Sequence, residues 1–147
     1  MRAPPAVRFE RLQKLIERVN EESARGSVIV VEGSRDRESL RTMGVKGTIL
    51  CLQSSRKNAI GFVEQLDGDK NVIVLTDFDR EGVFLAKKLI RSLNSQRIHA
   101  NLVFWRELRG LTRSDIRSIQ ELPQLYQRLQ TQLYFHRSPA ADLRHAS

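Results

Sequence analysis

Two unbroken aliphatic runs, Val28-Ile29-Val30-Val31 and Val72-Ile73-Val74-Leu75, constrain the fold of this chain more than any other feature. A strand with one wet face alternates apolar and polar residues; a strand covered on both faces has no need to. Such runs belong in the interior of a mainly parallel sheet with helices on both sides. The flanking segments supply the helices. From residue 8 to about residue 25, Phe9, Leu12, Leu15, Ile16 and Val19 recur at helical spacing, Glu10 and Lys14 stand four apart in the favourable order, and Gly26 ends the segment.

Further along, residues 35–43 read as a helix closed by Gly44, and residues 48–52 as a second strand. A helix capped by Ser54 or Ser55 turns Ile60, Val63 and Leu66 inward, and residues 67–71 form a turn cluster. A helix over residues 80–94 buries Val83, Ala86, Ile90 and Leu93. Residues 98–105 read as a fourth strand closed by Gly110, and Thr112 as the cap of a short helix over 112–116. A last helix, about 121–136, carries Leu122, Leu125, Leu129 and Leu133 on one face. Residues 1–7, with Pro4 and Pro5, are expected to be irregular. The expectation is an α/β domain over residues 26–110, an N-terminal helix (1–25) packed on it, a C-terminal helical extension (111–137) and a disordered tail (138–147).

The balance of 25 Lys and Arg against 17 Asp and Glu, a formal charge of +8, favours a polyanionic partner. No apolar run approaches the roughly 18 residues a bilayer span needs, and no signal peptide or myristoylation motif is present, so a cytoplasmic protein with no membrane partner is expected. The single cysteine, Cys51, lies in an apolar stretch and reads as a buried thiol; no internal disulfide is possible.

Chemistry concentrates where both aliphatic runs end. The first leads into Glu32-Gly33-Ser34-Arg35-Asp36, the second into Thr76-Asp77-Phe78-Asp79-Arg80-Glu81-Gly82. In open α/β sheets ligands bind beyond the carboxyl ends of strands. Along extended backbone, residues two apart point the same way, about 6.6 Å from each other. Two carboxylates held so repel unless a proton or cation intervenes. Mg²⁺ is bound by carboxylate oxygens while keeping waters that a phosphate can replace. Gly33 and Gly82 let the backbone turn or come close to a substrate, and the following helix start offers positive dipole to a phosphate. Taken singly, Asp77 and Asp79 also suit a turn or helix cap, and Glu32 a solvated loop.

Together these residues resemble the Toprim family, the metal-binding domain shared by type IA and type II topoisomerases, bacterial primases, recombination-repair proteins and nucleases. Its pattern is an apolar strand ending in Glu-Gly and a later strand ending in Asp-x-Asp, often followed by Gly; Glu32-Gly33 and Asp77-Phe78-Asp79-Arg80-Glu81-Gly82 match it. Asp36 resembles the Glu-Gly-x-x-Asp form of primases and a ribosomal-RNA maturase. Asp77 to Gly82 resembles the Asp-x-Asp-Arg-Glu-Gly of type IA topoisomerases, in which an acidic residue usually follows; here Val83 stands there. The chain looks most like the small stand-alone Toprim proteins of archaea and some bacteria, with no room for the accessory domains of a topoisomerase or primase. Tyr126 and Tyr134, on the last helix, read as packing residues rather than nucleophiles.

The resemblance implies a Rossmann-like Toprim fold of about four strands. It implies Mg²⁺, with Mn²⁺ as a substitute, held by Glu32, Asp77 and Asp79, which would also carry catalysis, Glu32 as ligand or as general acid and base. Gly33, Asp36, Arg80 and Gly82 would support them; Asp36 either orients a partner or is a structural first-turn acid. A basic rim of Arg35, Arg37, Arg56, Lys57, Arg80, Lys87, Lys88 and Arg91, with Arg41 and Lys46 beside it, would contact nucleic acid, and Phe104 or Trp105 would stack on bases or fill the core. The expected activity is a nuclease or phosphotransferase acting on RNA or DNA, in RNA processing or DNA repair. The alternative is a non-catalytic binding module within an assembly, with a protein partner or a second copy of the chain. His99, His136 and His145 lack metal-ligand spacing.

Overall fold

The computed structural model describes residues 3–54, 66, 71–112 and 114–137. Its elements are α1 (Pro5–Ala24), β1 (Val28–Val31), α2 (Ser34–Thr42), β2 (Ile49–Cys51), a 3-10 turn (Leu52–Ser54), β3 (Asn71–Val74), α3 (Arg80–Ser95), β4 (His99–Asn101), α4 (Val103–Thr112), a second 3-10 turn (Ile119–Glu121) and α5 (Leu122–Arg137). The four strands form one parallel sheet in the order β2-β1-β3-β4. Ile29 stands opposite Ile49 on one side and Ile73 on the other.

Because successive residues of a strand face opposite ways, the aliphatic runs feed two cores. Ile29, Val31, Ile73 and Leu75 join the larger one, with Leu12, Leu15 and Val19 of α1, Leu40 of α2, Trp105 and Leu108 of α4, and Leu125 of α5. Val30, Val72 and Val74 face the smaller one, closed by Ala86, Leu89 and Leu93 of α3. All four β1 residues are buried, as an interior strand with no wet face requires. Cys51 is a free, buried thiol.

Three expectations need correction. Helix α1 begins at Pro5, not near residue 8, because proline suits the first helical position, where its missing N–H costs nothing. The fourth strand ends at Asn101 rather than at Trp105. The Asn101 side chain accepts a 2.9 Å hydrogen bond from the Val103 amide and starts α4, which carries Phe104, Trp105, Leu108 and Thr112 into the core. Gly110 therefore lies inside a helix rather than closing a strand. Thr112 ends that helix instead of capping the next; its hydroxyl donates to the Leu108 carbonyl at 2.7 Å. Residues 114–116, expected as helix, form a turn and irregular backbone. Residues 55–65 and 67–70, where the helix after Ser54 or Ser55 and most of the turn cluster were expected, lie outside the described residues, as do 138–147.

One buried cation ties the helices together. Arg8 of α1 is 8% exposed. Its guanidinium donates to the Leu111 carbonyl at 3.2 and 2.8 Å and pairs with Asp115, which Arg128 of α5 also approaches at 3.4 Å. Truncating Arg8 removes both hydrogen bonds to the half-buried Leu111 carbonyl and the largely buried ion pair with Asp115. Arg8→Ala is thus expected to cost about 2 kcal/mol and lower the melting temperature by about 5 °C. Arg11→Ala, one position of the same helix exposed to water, serves as the comparison; equal melting temperatures for the two variants would rule out the clamp.

Candidate carboxylate centre and its basic rim

Chain order reverses between β1 and β3, since β2 lies on the outer side of β1. A crevice opens at such a point beyond the strand ends, and the acidic residues sit there. Glu32 directly follows β1. The Leu75 amide still pairs with the Val30 carbonyl at 2.9 Å; beyond it the backbone leaves the sheet. Thr76, fully buried, anchors this departure: its carbonyl accepts from the Trp105 indole at 2.9 Å and its hydroxyl donates to the Gly82 carbonyl at 3.0 Å.

Each carboxylate is held by a backbone amide. Glu32 Oε1 accepts from the Asp77 amide at 3.2 Å, Asp77 Oδ1 from the Ile119 amide at 2.8 Å, and Asp79 Oδ1 from the Gly82 amide at 2.7 Å. Asp79 is thereby the N-cap of α3. Asp77 and Asp79 do not project from one extended strand, as the spacing alone suggests, because β3 has already ended at Val74. Asp36 is buried and accepts from the Gly33 amide at 3.0 Å, so it ties down the start of α2.

The two motif glycines differ. A Cβ on Gly82 would lie 2.2 Å from the Asp77 carbonyl oxygen and 2.6 Å from its carbon, both rigid backbone. A Cβ on Gly33 would come closest to the Gln53 side chain, at 2.7 Å, which can swing away, and would reach Asp36 Oδ2 only at 4.0 Å. Gly82 is the position the motif demands: helix α3 leaves the site with its backbone pressed against Asp77.

Burial and crowding favour protonation of the acids. Burial, then the charges of Asp77, Asp36 and Asp79, push the Glu32 carboxyl up to about 7 against the pull of the Asp77 amide. Burial, helped by Asp36 and Asp79, pushes Asp77 up to about 6, although the Ile119 amide and a hydrogen bond from Glu32 oppose the rise. Asp36 is raised by burial against its bond to Gly33. Among the described residues, no three His, Cys, Asp or Glu side chains stand ready to hold a metal ion by themselves. The donor set nevertheless fits a hard cation. It is all oxygen and charge-stressed, and Mg²⁺ commonly takes one or two carboxylates while water and phosphate complete its shell.

The basic residues divide. Arg80 is the first residue of α3, next to Asp79, and Lys87, Lys88 and Arg91 are exposed further along that helix. On α2, Arg35 is exposed and Arg37 half-buried. Arg41 is committed to the Val45 and Gly47 carbonyls at 3.1 and 2.6 Å. Arg56 and Lys57 lie outside the described residues. Phe104 and Trp105 are core residues, 3% and 7% exposed, and offer no stacking surface.

Sequence reasoning missed the segment after α4. Besides the Ile119 amide on Asp77, the Arg117 carbonyl accepts from the Phe78 amide at 2.8 Å. Glu121 stiffens this segment by accepting from the Arg117 and Ser118 amides at 2.9 and 3.0 Å. The one local signal was Ser118-x-x-Glu121, a capping-box spacing.

Residues 27–104 match the Toprim domain. The chain belongs to the Toprim family. Among its relatives, the UPF0292 protein of Methanocaldococcus jannaschii is 39% identical over 114 residues, 78% of this chain and 88% of that protein. The UPF0292 protein of Thermococcus kodakarensis is 34% identical over 121 residues, 82% and 87% of the two chains. A protein from Aquifex aeolicus of known structure aligns with a TM-score of 0.61 at 28% identity, over 74% of this chain and 94% of that one. The two UPF0292 relatives are small archaeal proteins, consistent with a stand-alone Toprim protein. Toprim is a metal-binding, nucleic-acid-processing family whose domains bind divalent cations, usually Mg²⁺. No described helix is long and apolar enough to cross a membrane. The matched region ends before Arg109, Arg117 and Ile119, so the segment that holds Asp77 lies outside the Toprim match.

Proposed function

We propose that this Toprim protein is a Mg²⁺-dependent nuclease or phosphotransferase acting on phosphodiester bonds of RNA or DNA in the cytoplasm, within RNA processing or DNA repair, and that Mn²⁺ can substitute. The observation that carries the reading is the Glu32–Asp77 pair: two half-buried acids at the ends of neighbouring strands, joined through the Asp77 amide at 3.2 Å.

A positioned carboxyl can give and take protons. In this reading Glu32 moves the proton at the attacking or leaving oxygen. Asp77 and Asp79, each with one oxygen tied to an amide, would hold the cation through their remaining oxygens, with water and phosphate completing its shell. Bound there, Mg²⁺ supplies the positive charge that relieves the crowded carboxylates and draws electron density from a phosphate. Arg80, at the start of α3, binds phosphate charge with the help of the helix dipole. Arg35, Arg37, Lys87, Lys88 and Arg91 contact the backbone of the strand, and Gly82 lets α3 approach Asp77.

The test incubates the protein with structured RNA, single-stranded DNA and duplex DNA, in Mg²⁺, Mn²⁺ or chelator. Cleavage is expected only with metal, and Glu32→Gln and Asp77→Asn are each expected to reduce it by about a thousandfold while melting cooperatively. No cleavage of any substrate, or undiminished cleavage by Glu32→Gln, defeats the enzymatic reading. Salt-sensitive binding without cleavage assigns the protein instead as a nucleic-acid-binding module.

A further inference from the structure

We propose that a cavity beside Asp79 is a phosphate-binding subsite, built by Arg80, Arg109 and Arg117, that seats one nucleotide of a nucleic-acid strand next to the carboxylate centre. The inference rests on the nucleic-acid reading above and adds to it the place where the strand is gripped.

The cavity measures about 520 Å³ and is lined by Phe78, Asp79, Arg80, Arg109, Ser114, Ile116 and Arg117. That size falls in the range of small-ligand pockets, roughly 300–1,000 Å³. Three arginines and one aspartate contribute to the lining, so it carries a positive excess. Among the described residues, none of the three guanidinium groups hydrogen-bonds or ion-pairs with a carboxylate; Arg117 feels Glu121 only through space. Arginine forks match phosphate oxygens in pairs, which makes unengaged guanidinium groups around a concavity an anion site by their chemistry.

The lining is also rigid. The Arg109 guanidinium lies 5.4 Å from the centroid of the Trp105 ring, which orients its plane and leaves its N–H donors for a ligand. Trp105 in turn supports Phe78, ring centroids 5.7 Å apart, giving the cavity an apolar wall for a sugar or base. Ser114 and Arg117 are carried on the segment that Arg8 clamps at Asp115 and Glu121 clamps at Ser118. Arg80 heads the 16-residue helix α3, so its end of the cavity gains the helix dipole. Arg109, Ser114 and Arg117 all lie beyond the Toprim match at 27–104. Two of the three gripping arginines are therefore a contribution of the segment beyond the Toprim match.

A phosphate could reach the cavity as an internal phosphodiester or as a terminal monophosphate. Fluorescence anisotropy with a 3′-labelled octanucleotide, 5′-phosphorylated or 5′-hydroxyl, separates the two. It is measured in chelator, so binding is read apart from any cleavage. The Arg109→Ala/Arg117→Ala double variant is expected to bind at least ~tenfold more weakly. It should also flatten the dependence of log K on log salt by about 0.7, as expected for one lost single-strand phosphate contact. Arg11→Ala/Arg106→Ala removes the same charge elsewhere and is expected to bind within about twofold of the parent. Ser114→Glu, an exposed turn position that puts a negative charge into the cavity, is expected to weaken binding with an unchanged melting curve.

Tighter binding of the phosphorylated oligonucleotide assigns a terminal phosphate; equal binding of the two assigns an internal one. The subsite is refuted if both double variants weaken binding alike, or if Ser114→Glu binds like the parent. A protein that binds in this arginine-dependent way yet never cleaves keeps the subsite and loses the nuclease. One that cleaves while the Arg109 and Arg117 variants bind normally does the reverse.

Discussion

Gly82→Ala is expected to cost the fold at least ~3 kcal/mol, a fall of about 8 °C or more in melting temperature. The added methyl meets the Asp77 carbonyl oxygen at 2.2 Å and its carbon at 2.6 Å. Neither is a side chain that can rotate away. Gly82 is also gripped from both ends, its amide by Asp79 and its carbonyl by the Thr76 hydroxyl, so α3 cannot tilt away without breaking its own cap. Asp77 is the group displaced, and metal-dependent activity should therefore fall further than stability alone explains. Gly110→Ala is the natural comparison. Nothing lies within 4 Å of a Cβ there, and alanine in an exposed helical position is expected to stabilise by about 0.5–1 kcal/mol. Thermal melts of both variants decide the matter. A Gly82→Ala protein that melts with the parent shows that the approach of α3 to Asp77 is not tight.

The second large effect is on pH. Glu32 and Asp77 titrate at about 7 and about 6 in the folded chain, above their ordinary values of 4.5 and 3.8. The folded state thus holds protons that the unfolded state releases. Their stabilisation is complete below about pH 4 and disappears as pH rises through 6 and 7. Asp36, also raised by burial, acts in the same direction. Without metal, the protein is expected to melt about 5 °C lower at pH 8 than at pH 5, for a combined effect of about 2 kcal/mol after allowance for solvent screening. Millimolar Mg²⁺, binding the folded state only, should restore most of the loss at pH 8. Glu32→Gln should flatten the metal-free profile. A metal-free melting temperature that stays level from pH 5 to 8 would contradict the proposed charge stress.

The parts of this structure that could be read in the sequence share a cause. Val28 to Val31 and Val72 to Leu75 are legible because burial on both faces leaves only one kind of residue acceptable at each position. The nearness of Glu32 to Asp77 follows once both runs are interior parallel strands ending at one edge. Residues 98–105 misled because a short apolar run has no period of its own; the side chain of Asn101, bonding to the Val103 amide, decides between strand and helix. The holder of Asp77 was invisible for a different reason. It is a backbone N–H, which every non-proline residue possesses, supplied 42 positions away. Arg109 and Arg117 were overlooked because their grouping is a product of tertiary folding, with no local spacing to announce it.

The bond from Ile119 to Asp77 gives the centre a schedule as well as a shape. All three acids lie on a stretch that ends at Asp79, yet the amide that fixes Asp77 arrives some forty residues later. A ribosome-bound chain that has completed β3 and α3 carries the acids without the clasp. The same holds for the Arg8–Asp115 tie, whose second half follows the first by 107 residues. Maturation of the centre is thereby coupled to completion of the segment that follows it, and a stalled or clipped chain would present the acidic residues unclasped.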